Sequence, residues 1–390
     1  MSLPKKVLFC ATVDYHFKAF HLPYLKWFKD QGWEVHIAAS GSIDLPYVDV
    51  KFDLPIQRSP FKRQNLKAYK ELQAIIHRHQ YQIIHCHTPM GGVLGRLAAR
   101  QARKKGTKVI YTAHGFHFCK GAPLLNWIVY YPIEKGLAYL TDTLITINQE
   151  DYHLAQNHKF KAKNIEHVHG VGVNANQFKQ ISEKEKEKRR KSFGYHPNDF
   201  LLFYAAELNK NKNQQLLLHV LALLKEEVPH VKLLLAGEGI LHEKYQALAA
   251  KLGVEKMVNF LGFRKDIQEL LSISDVAVAS SLREGLPVNI MEAMASGLPV
   301  VASDNRGHRE LVQNQETGYV ISPSNHLEFA QRLKELAQMD HKRYQMGMKG
   351  IEKIKIYSIP QIGKELDGIY RRYMLGDYYD TKSQYHHTYL

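Results

Sequence analysis

The sequence predicts an α/β protein made of two doubly wound domains, each built on a parallel sheet. Its 390 residues exceed the length of a typical domain of ~150 residues, so two to three domains are expected. Hydrophobic residues make up 45% of the chain and charged residues 23%, a composition that excludes disordered, collagen-like and coiled-coil proteins. Short β-rich runs alternate with longer helical patterns, and this rhythm is typical of βαβ units.

The rhythm begins in residues 1–180, where helical patterns cover residues 20–32 and 91–106. The predicted strands of this half are short and apolar: 6–12, 33–40, 81–87, 108–114 and 142–148. Polar residues stand at the ends of the later strands: His85, His87, His114 and Asn148. Because ligands bind at the carboxyl ends of strands in open α/β sheets, we expect a binding site at this edge of the sheet.

A polar segment, residues 174–199, separates the two halves, and it is interpreted as a linker followed by a charged helix. We therefore assign residues 1–180 to the first domain and 195–358 to the second, with a boundary near 175–195. The strand pattern then restarts at 200–208, 231–239, 258–263, 275–280, 298–303 and 317–322. Residues 359–390 are predicted to form a C-terminal helix and tail that cross back to the first domain.

The charge of the chain is concentrated in its first half. Lys and Arg total 53 against 38 Asp and Glu, which gives a net charge of +15 and a pI near 9.4. Residues 1–180 hold 24 basic and 12 acidic residues, so +12 of the excess lies there. This balance predicts an anionic partner for the first half: nucleic acid, a membrane surface or a phosphorylated substrate.

The three cysteines, Cys10, Cys86 and Cys119, include no CxxC pair, so a disulfide framework or a zinc knuckle is not expected. We expect a reducing, cytoplasmic compartment. The start of the chain lacks the pattern of a signal peptide, and no run of ~18 apolar residues would span a bilayer. Any association with a membrane is therefore expected to be peripheral.

The most informative stretch is residues 283–301. Glu284 lies on the turn after a predicted strand, where Gly285 lets the backbone approach a ligand, and Pro287 can set the first turn of a helix that carries Glu292. The two carboxylates can contact different parts of one long ligand, and the N–H groups at the helix start suit a diphosphate. For isolated glutamates, a solvated loop acid and a helix acid favoured by the helix dipole are the more common explanation.

The run EGLPVNIMEAMASGLPVVAS (284–303) resembles the E-x7-E signature of glycosyltransferase family four, a family of retaining nucleotide-sugar enzymes. Further segments resemble that family in the same order along the chain: 85–100, 111–118, 169–173, 206–213, 233–239, 259–267 and 304–322. The resemblance covers essentially the whole chain. It implies the GT-B fold, with two facing Rossmann-like domains and a cleft between them. Residues 11–28 and 111–135 are similar to enzymes of bacterial exopolysaccharide and capsule assembly.

The resemblance implies roles for individual residues. Glu284 would contact the hydroxyls of the transferred sugar, Glu292 the ribose hydroxyls, and His114 corresponds to the active-site histidine. Lys212 takes the position of the diphosphate lysine, a compact cation suited to a leaving group, with Lys210 as a second cation or a solvated loop residue. His114, Glu284 and Lys212 are the implied catalytic set. Further donor contacts are implied at Gly285, Leu286, Gly237, Gly262 and Arg264.

One departure from the family pattern affects the diphosphate site. Glu207 stands where many relatives have Arg, and a carboxylate cannot replace a guanidinium at a diphosphate. The positive charge must then come from Lys212 with Lys210, or from Arg264. Alternatively, Glu207 pairs with a cation and only orders its loop.

The acceptor side is predicted from the loop after the first strand, residues 12–17. Relatives often carry a glycine-rich loop here, whereas this loop has no glycine. Asp14 and His16 are therefore candidate acceptor contacts or a base, together with His87 at the end of a neighbouring strand. A structural role is the alternative, because a buried polar group needs only a hydrogen-bond partner.

No metal ion or other cofactor is expected. His85-Cys86-His87 has suitable residue types, but alternation along a strand is expected to turn the side chains to opposite faces, with no third ligand at usable spacing. The chain also lacks the Asp-x-Asp motif of the other major glycosyltransferase fold. We expect His117 and Cys119 to pack near the histidine loop.

Cationic and apolar residues of the first half predict contact with an anionic bilayer. The apolar and aromatic residues are Phe61, Tyr69 and the run 123–131, and a helix with Trp, Tyr and Leu beside cations suits such adsorption. A solvated charged face over an ordinary core is the alternative. The basic residues form two groups: Arg58, Lys62, Arg63, Lys67 and Lys70, and Arg96, Arg100, Arg103, Lys104 and Lys105.

The sequence thus predicts a retaining glycosyltransferase that moves a hexosyl or acetamidohexosyl group from a UDP-sugar to a lipid-linked oligosaccharide in exopolysaccharide or capsule biosynthesis. The second domain would bind the donor and the first the acceptor, at the cytoplasmic face of the plasma membrane. A nucleotide-sugar epimerase of related two-Rossmann fold is the alternative. A nucleic-acid-binding protein is suggested only by the charge, and we expect no nucleic-acid partner because no such module is recognised.

Overall fold

The computed structural model describes residues 5–374, and contacts divide the chain into two α/β units. The first unit comprises the chain up to Val171 and the part that begins at Pro360. The second unit is the continuous stretch Gly172–Ile359. Each unit has its own parallel sheet with helices packed against it, as the alternating sequence pattern predicts.

The first unit contains a seven-stranded sheet in the order β3-β2-β1-β4-β5-β6-β7, with every strand parallel to its neighbours. The strand order reverses between β1 and β4, and the carboxyl ends at such a point form a crevice for ligands. The strands are β1 (Lys6–Val13), β2 (Glu34–Ser40), β3 (Val50–Asp53), β4 (Ile83–His87), β5 (Lys108–Ala113), β6 (Thr143–Thr146) and β7 (Asn164–His167).

Helices connect these strands and bury both faces of the sheet. Leu8 and Cys10 pack in one core cluster, whereas Val7 and Phe9 of the same strand pack in another, so β1 is apolar without alternation. The helices are α1 (Tyr15–Phe20), α2 (Leu22–Asp30), α3 (Gln64–His79), α4 (Pro89–Ala98), α5 (Arg100–Lys104), α6 (Leu124–Leu137) and α7 (Gln149–Asn157).

The second unit contains a six-stranded parallel sheet in the order β10-β9-β8-β11-β12-β13, which reverses between β8 and β11. Its strands are β8 (Phe200–Ala205), β9 (Val231–Ala236), β10 (Val258–Gly262), β11 (Val276–Ala279), β12 (Val300–Ser303) and β13 (Gly318–Ile321). Its helices are α8 (Glu183–Ser192), α9 (Gln214–Leu224), α10 (His242–Leu252), α11 (Ile267–Ile273), α12 (Val288–Ala295), α13 (Arg306–Leu311), α14 (His326–Gln338) and α15 (Asp340–Ile354).

The last helix, α16 (Ile359–Met374), packs in the core of the first unit. It buries Ile362, Leu366 and Ile369, and the Tyr370 hydroxyl lies 2.8 Å from Nδ1 of His85. The predicted tail after this helix lies outside the described residues. Among the helices of the described residues, none combines the length and apolar character needed to cross a membrane.

Candidate functional site

Lys212 and Glu284 meet at the carboxyl ends of the central strands of the second sheet. Nζ of Lys212 lies 2.5 Å from Oε1 of Glu284, and the two side chains are 24% and 14% exposed. The loop after β8 carries the lysine and the loop after β11 carries the glutamate. Ser280 donates a hydrogen bond to the carbonyl of Lys212 (2.7 Å), and Asn211 donates one to the carbonyl of Arg283 (3.0 Å). The two loops are therefore tied together on both sides of the ion pair.

Two residues of α13 contact the turn that bears Glu284. The Arg306 Nε donates a hydrogen bond to the carbonyl of Glu284 (3.0 Å). A Cβ atom at Gly307 would lie 2.8 Å from Cβ of Glu284 and 2.9 Å from the Gly285 oxygen, so only glycine allows this close approach. Sequence reasoning missed both residues, although they lie in the segment 304–322 that resembles the family.

Glu284, Gly285 and Leu286 lead directly into α12, whose N-cap is Pro287. Since the first N–H groups of a helix lack intrahelical partners, the start of α12 offers donors to an anion beside the ion pair. Glu292 lies about one turn farther along, as the sequence predicts. It is half-buried, and burial raises the pKa of its carboxyl to about 7.

Gly237 and Gly262 lie at the ends of β9 and β10, where the Gly237 N–H donates to the Gly262 carbonyl (2.7 Å). Gly237 has φ +147°, and a Cβ there would lie 2.1 Å from the Ala206 oxygen. Glycine at position 237 therefore allows the backbone at the end of β9 to approach the loop that follows β8 closely. Gly262, with φ +65°, faces open space.

Arg264 is held within its own loop, where its Nε lies 2.8 Å from Oδ1 of Asp266 and its Nη2 contacts the second carboxylate oxygen. Its guanidinium is therefore paired with an acid of its own loop, as the ammonium of Lys212 is paired with Glu284. Lys210 and Glu207 are both exposed. Lys212 supplies the ammonium that contacts the Glu284 carboxylate, and the Arg306 guanidinium contacts the carbonyl of the same residue.

The first unit has a cavity of about 970 Å³ at the carboxyl ends of β1, β4 and β5. Its lining includes His16, His114 and Thr88 on the sheet side, and Arg58 and Lys62 elsewhere. The remaining lining is mostly apolar, and large apolar pockets with few polar groups are the usual form of a small-molecule site.

Four histidines gather at this edge of the sheet: His16, His21, His87 and His114, which we call the histidine cluster. One ring nitrogen of each lies within 4.8 Å of those of the others. Nε2 of His16 is 3.0 Å from Nε2 of His21, and Nδ1 of His87 is 3.2 Å from Nε2 of His114. Burial lowers the pKa of His16 to about 4, and burial and neighbouring histidines hold the other three well below the usual value. The cluster is therefore uncharged at neutral pH.

The geometric argument against a metal site from His85-Cys86-His87 is wrong. Residues two apart on a strand share a face, and the rings of His85 and His87 are 4.0 Å apart. Further candidate ligands come from α1, from the residue after α1, and from the loop after β5, none of which is close in sequence. His85 itself is engaged by the hydroxyls of Tyr370 and Thr112, each 2.8 Å away.

The carboxylate of Asp14 is held by contacts within the first unit. Its Oδ2 lies 2.6 Å from Nζ of Lys51 and accepts a hydrogen bond from the Ile43 N–H (2.7 Å). Burial opposes ionisation, but these hydrogen bonds outweigh it and lower the pKa of Asp14. Among the described residues, the cavity lining includes the neighbours of Asp14 but not Asp14 itself. These contacts favour the structural alternative over an acceptor contact for Asp14.

His117 and Cys119 are expected to pack near the histidine loop. His117 is exposed and stacks on Tyr130 with ring centroids 4.7 Å apart, and it lines the cavity. Cys119 is buried.

The basic helical face predicted around Arg96 is partly wrong. Arg96 is 1% exposed, and its Nη2 lies 2.8 Å from Oε2 of Glu134, with the Tyr111 ring 3.8 Å from the guanidinium carbon. Arg103 pairs with the buried Asp142 at 2.9 Å. The guanidiniums of both arginines are therefore engaged by acidic side chains of the first unit.

The apolar surface predicted for residues 123–131 is exposed. Leu124, Leu125 and Ile128 on α6 are 73%, 68% and 62% exposed, and Phe61 is 88% exposed. The same helix supplies Tyr130 to the cavity wall. Large apolar side chains that are exposed together mark an interaction surface.

Comparison with known proteins finds two matching family models. The model described as glycosyl transferases group 1 matches residues 185–353, and the model described as glycosyl transferase 4-like matches residues 6–148. The chain is 52% identical over 372 residues to the Bacillus subtilis protein EpsD, whose name places it among glycosyltransferases; the match covers 95% of this chain and 98% of EpsD.

Two more distant proteins give further similarity. An Escherichia coli enzyme, UDP-Gal:alpha-D-GlcNAc-diphosphoundecaprenol alpha-1,3-galactosyltransferase, is 28% identical over 261 residues, covering 66% of this chain and 67% of that enzyme. The crystal structure of Anabaena HepE in complex with UDP and glucose superposes with a TM-score of 0.77 at 21% identity, covering 94% of this chain and 99% of HepE. The likeness to HepE shows the GT-B fold.

Proposed function

The chain belongs to the family-four glycosyltransferases, and we propose that it transfers a hexosyl or acetamidohexosyl group from a UDP-sugar to a lipid-linked saccharide, with retention at the anomeric carbon. The Lys212–Glu284 pair beside the start of α12 carries this proposal. It puts a cation, a carboxylate and helix N–H groups together at the point where the second sheet reverses, and a nucleotide diphosphate sugar needs each of them.

The donor is assigned to the second unit. Lys212 and the N–H groups at the start of α12 bind the diphosphate, Glu284 binds the sugar hydroxyls, and Glu292 binds the ribose hydroxyls. UDP is the favoured nucleotide because the galactosyltransferase from Escherichia coli is named for UDP-Gal and HepE is bound to UDP.

The transfer step needs no covalent intermediate. The acceptor hydroxyl oxygen bonds to the anomeric carbon on the face from which the diphosphate leaves, while the bond between that carbon and the diphosphate oxygen breaks. The proton of the hydroxyl passes to the departing diphosphate, so the configuration is retained. Lys212 stabilises the negative charge that grows on the diphosphate, and His114 contacts the transferred sugar. We propose that no metal ion is required.

The acceptor is assigned to the cavity of the first unit. A mostly apolar wall with cations at Arg58 and Lys62 suits a lipid diphosphate that carries a sugar. The relative from Escherichia coli is named for such an acceptor, a sugar linked to diphosphoundecaprenol. Leu124, Leu125 and Ile128 then hold the first unit at the surface of an anionic membrane, where lipid-linked saccharides reside. We propose exopolysaccharide or capsule assembly as the pathway, on the resemblance of residues 11–28 and 111–135 to enzymes of those pathways.

The test incubates the purified chain with a panel of UDP-hexoses and UDP-N-acetylhexosamines and with lipid-linked saccharides extracted from bacterial membranes. Transfer predicts release of UDP and an acceptor that is heavier by one sugar residue in mass spectrometry. Lys212→Ala and Glu284→Ala should abolish both signals while circular dichroism stays unchanged. Normal transfer by either variant would overturn the assignment. An isomerised nucleotide sugar formed without an acceptor would favour the epimerase alternative.

A further inference from the structure

We propose that the histidine cluster of the first unit, His16, His21, His87 and His114, binds a first-row transition-metal ion, with Zn²⁺ as the favoured occupant. The proposal rests on the approach of four imidazole nitrogens to within 4.8 Å of one another. It goes beyond the proposed function, because the transfer step described above needs no ion.

The spacing of the nitrogens is close to what a tetrahedral ion requires. Zn–N bonds of ~2.0–2.1 Å place neighbouring ligand nitrogens roughly 3.3–3.4 Å apart. The pairs His16–His21 and His87–His114 are already at 3.0 and 3.2 Å. The widest separation, within 4.8 Å, exceeds that value by up to about 1.5 Å, so binding requires the cavity-lining rings of His16 and His114 to move toward the buried pair.

The chemistry of the cluster selects the kind of ion. An imidazole binds a metal through the lone pair of one ring nitrogen, and each of the four residues can offer one such nitrogen. The set contains no carboxylate, which disfavours Ca²⁺ and Mg²⁺, whereas imidazole suits Zn²⁺, Cu²⁺ and Ni²⁺.

His87 presents Nδ1 to Nε2 of His114 at 3.2 Å, and this is the nitrogen that the spacing argument uses. The ring is 1% exposed, and within the described residues its other nitrogen, Nε2, is buried without a hydrogen bond. Since one imidazole cannot direct both nitrogens at the same ion, Nε2 does not itself mark the position of the ion.

The surroundings provide both support and access. The ring of His87 lies parallel to that of Phe9 at 6.0 Å, and against His85, which hydrogen bonds from two sides hold in place. The rings of Phe9 and His85 therefore support the buried His87 ring on the side of the core. His16 and His114 line the cavity, so an ion can enter from the acceptor side.

A bound ion would also affect the reaction. The imidazole of His114 cannot hold the ion and contact the transferred sugar with the same nitrogen, so occupancy of the cluster would oppose transfer. This makes the site inhibitory, and its metal content can be measured without reference to activity.

The experiment uses the full chain, treated with EDTA and then titrated with Co²⁺, which reports four-coordinate nitrogen ligands by its visible absorption. Zn²⁺ is added afterwards to displace it. We expect about one ion per chain, and an at least ~10-fold loss of affinity in His21→Ala, His87→Ala and His16→Ala. His16→Ala is included because this residue lines the cavity, so the fold should tolerate its loss.

The matched control is the double variant His219→Ala/His326→Ala, which removes another stacked histidine pair, with ring centroids 5.5 Å apart, in the second unit. It should keep the absorption band. Loss of the band in the cluster variants but not in the control supports the proposal. Octahedral Co²⁺ in the parent protein, or equal affinity in the parent and the folded His16→Ala variant, overturns it. Either result leaves the proposed transfer intact, because transfer is assayed without added metal.

Discussion

Lys212 and Glu284 neutralise each other at the carboxyl ends of the second sheet, with Nζ 2.5 Å from Oε1. In the proposed function, a diphosphate would compete with the glutamate for this lysine. Its arrival would free Glu284 to bind sugar hydroxyls. The proposal therefore implies that the ion pair holds both groups in position until the donor arrives.

This competition predicts opposite effects of two variants on UDP binding. Glu284→Gln should bind UDP about 10-fold more tightly, because Lys212 is no longer neutralised, and Lys212→Met should bind it about 10-fold more weakly. Isothermal titration calorimetry measures both, with Lys225→Met, at an exposed position after the C-terminal end of α9, as the control. Changes in the same direction for the first two variants would disprove the competition. Both should still lose transfer.

Glu292 predicts a pH-dependent stability. Burial raises its pKa from an ordinary value of 4.5 to about 7, so the folded state binds the proton more strongly than the unfolded state. This carboxyl therefore stabilises the fold below the ordinary pKa, and that contribution is lost as the pH rises through about 7. The Tm of the Glu292→Gln variant minus the Tm of the parent should increase as the pH rises from 4.5 to about 7, and then level off. Thermal unfolding measures it, with Glu352→Gln at an exposed site as control. A difference that does not change with pH would contradict this.

The buried pair Arg96–Glu134 predicts a large loss of stability on truncation. Glu134→Ala leaves the guanidinium of Arg96 buried without its carboxylate, which should cost about 3–5 kcal/mol in urea unfolding. The exposed pair Lys67–Glu71, at 3.7 Å, supplies the control, since Lys67→Ala should cost less than about 1 kcal/mol. The double variant Arg96→Met/Glu134→Leu should recover much of the loss, because it removes both charges. Equal costs for the two single variants would contradict the buried assignment.

The exposed side chains of α6 predict binding to anionic vesicles. Replacing Leu124, Leu125 and Ile128 together with Ser should weaken binding to phosphatidylglycerol vesicles at least ~10-fold, because apolar area is no longer removed from water. Leu327→Ser is the control, because that leucine is equally exposed, at 71%, but lies in the second unit. Vesicle sedimentation at low and high salt measures the apolar and the electrostatic contributions to binding. We expect salt to weaken binding by the parent chain. Equal binding by parent and triple variant would exclude α6 as the anchor.

Most of the fold could be predicted from the sequence, because buried parallel strands are continuous apolar runs. The strands that escaped prediction are β3 and β7, which lie at the two edges of the first sheet. Each has four residues and is largely half-buried, so neither has the apolar run of a central strand. A strand at the edge of a sheet is less buried and so lacks the continuous apolar run from which the central strands were predicted.

The site was predicted less completely, for a reason that lies in the topology. The family resemblance named both Lys212 and Glu284, but not their ion pair, which spans 72 positions and forms because β8 and β11 are neighbours in the sheet. His21 joins His87 in the same way, through the pairing of β1 with β4. Spacing along the chain cannot show such contacts. The arginine at position 96 was misplaced because helical charge periodicity does not reveal a buried acidic partner, here Glu134.

The position of α16 has a consequence for biosynthesis. The Tyr370 hydroxyl meets His85 across 285 positions of sequence, so the core of the first unit is incomplete until α16 has been made. The second unit, a continuous stretch, can complete its own core earlier during translation. Nascent chains that stop before α16 would therefore expose the apolar surface that this helix covers. The ribosome must therefore synthesise the whole second unit and α16 before the core of the first unit can close.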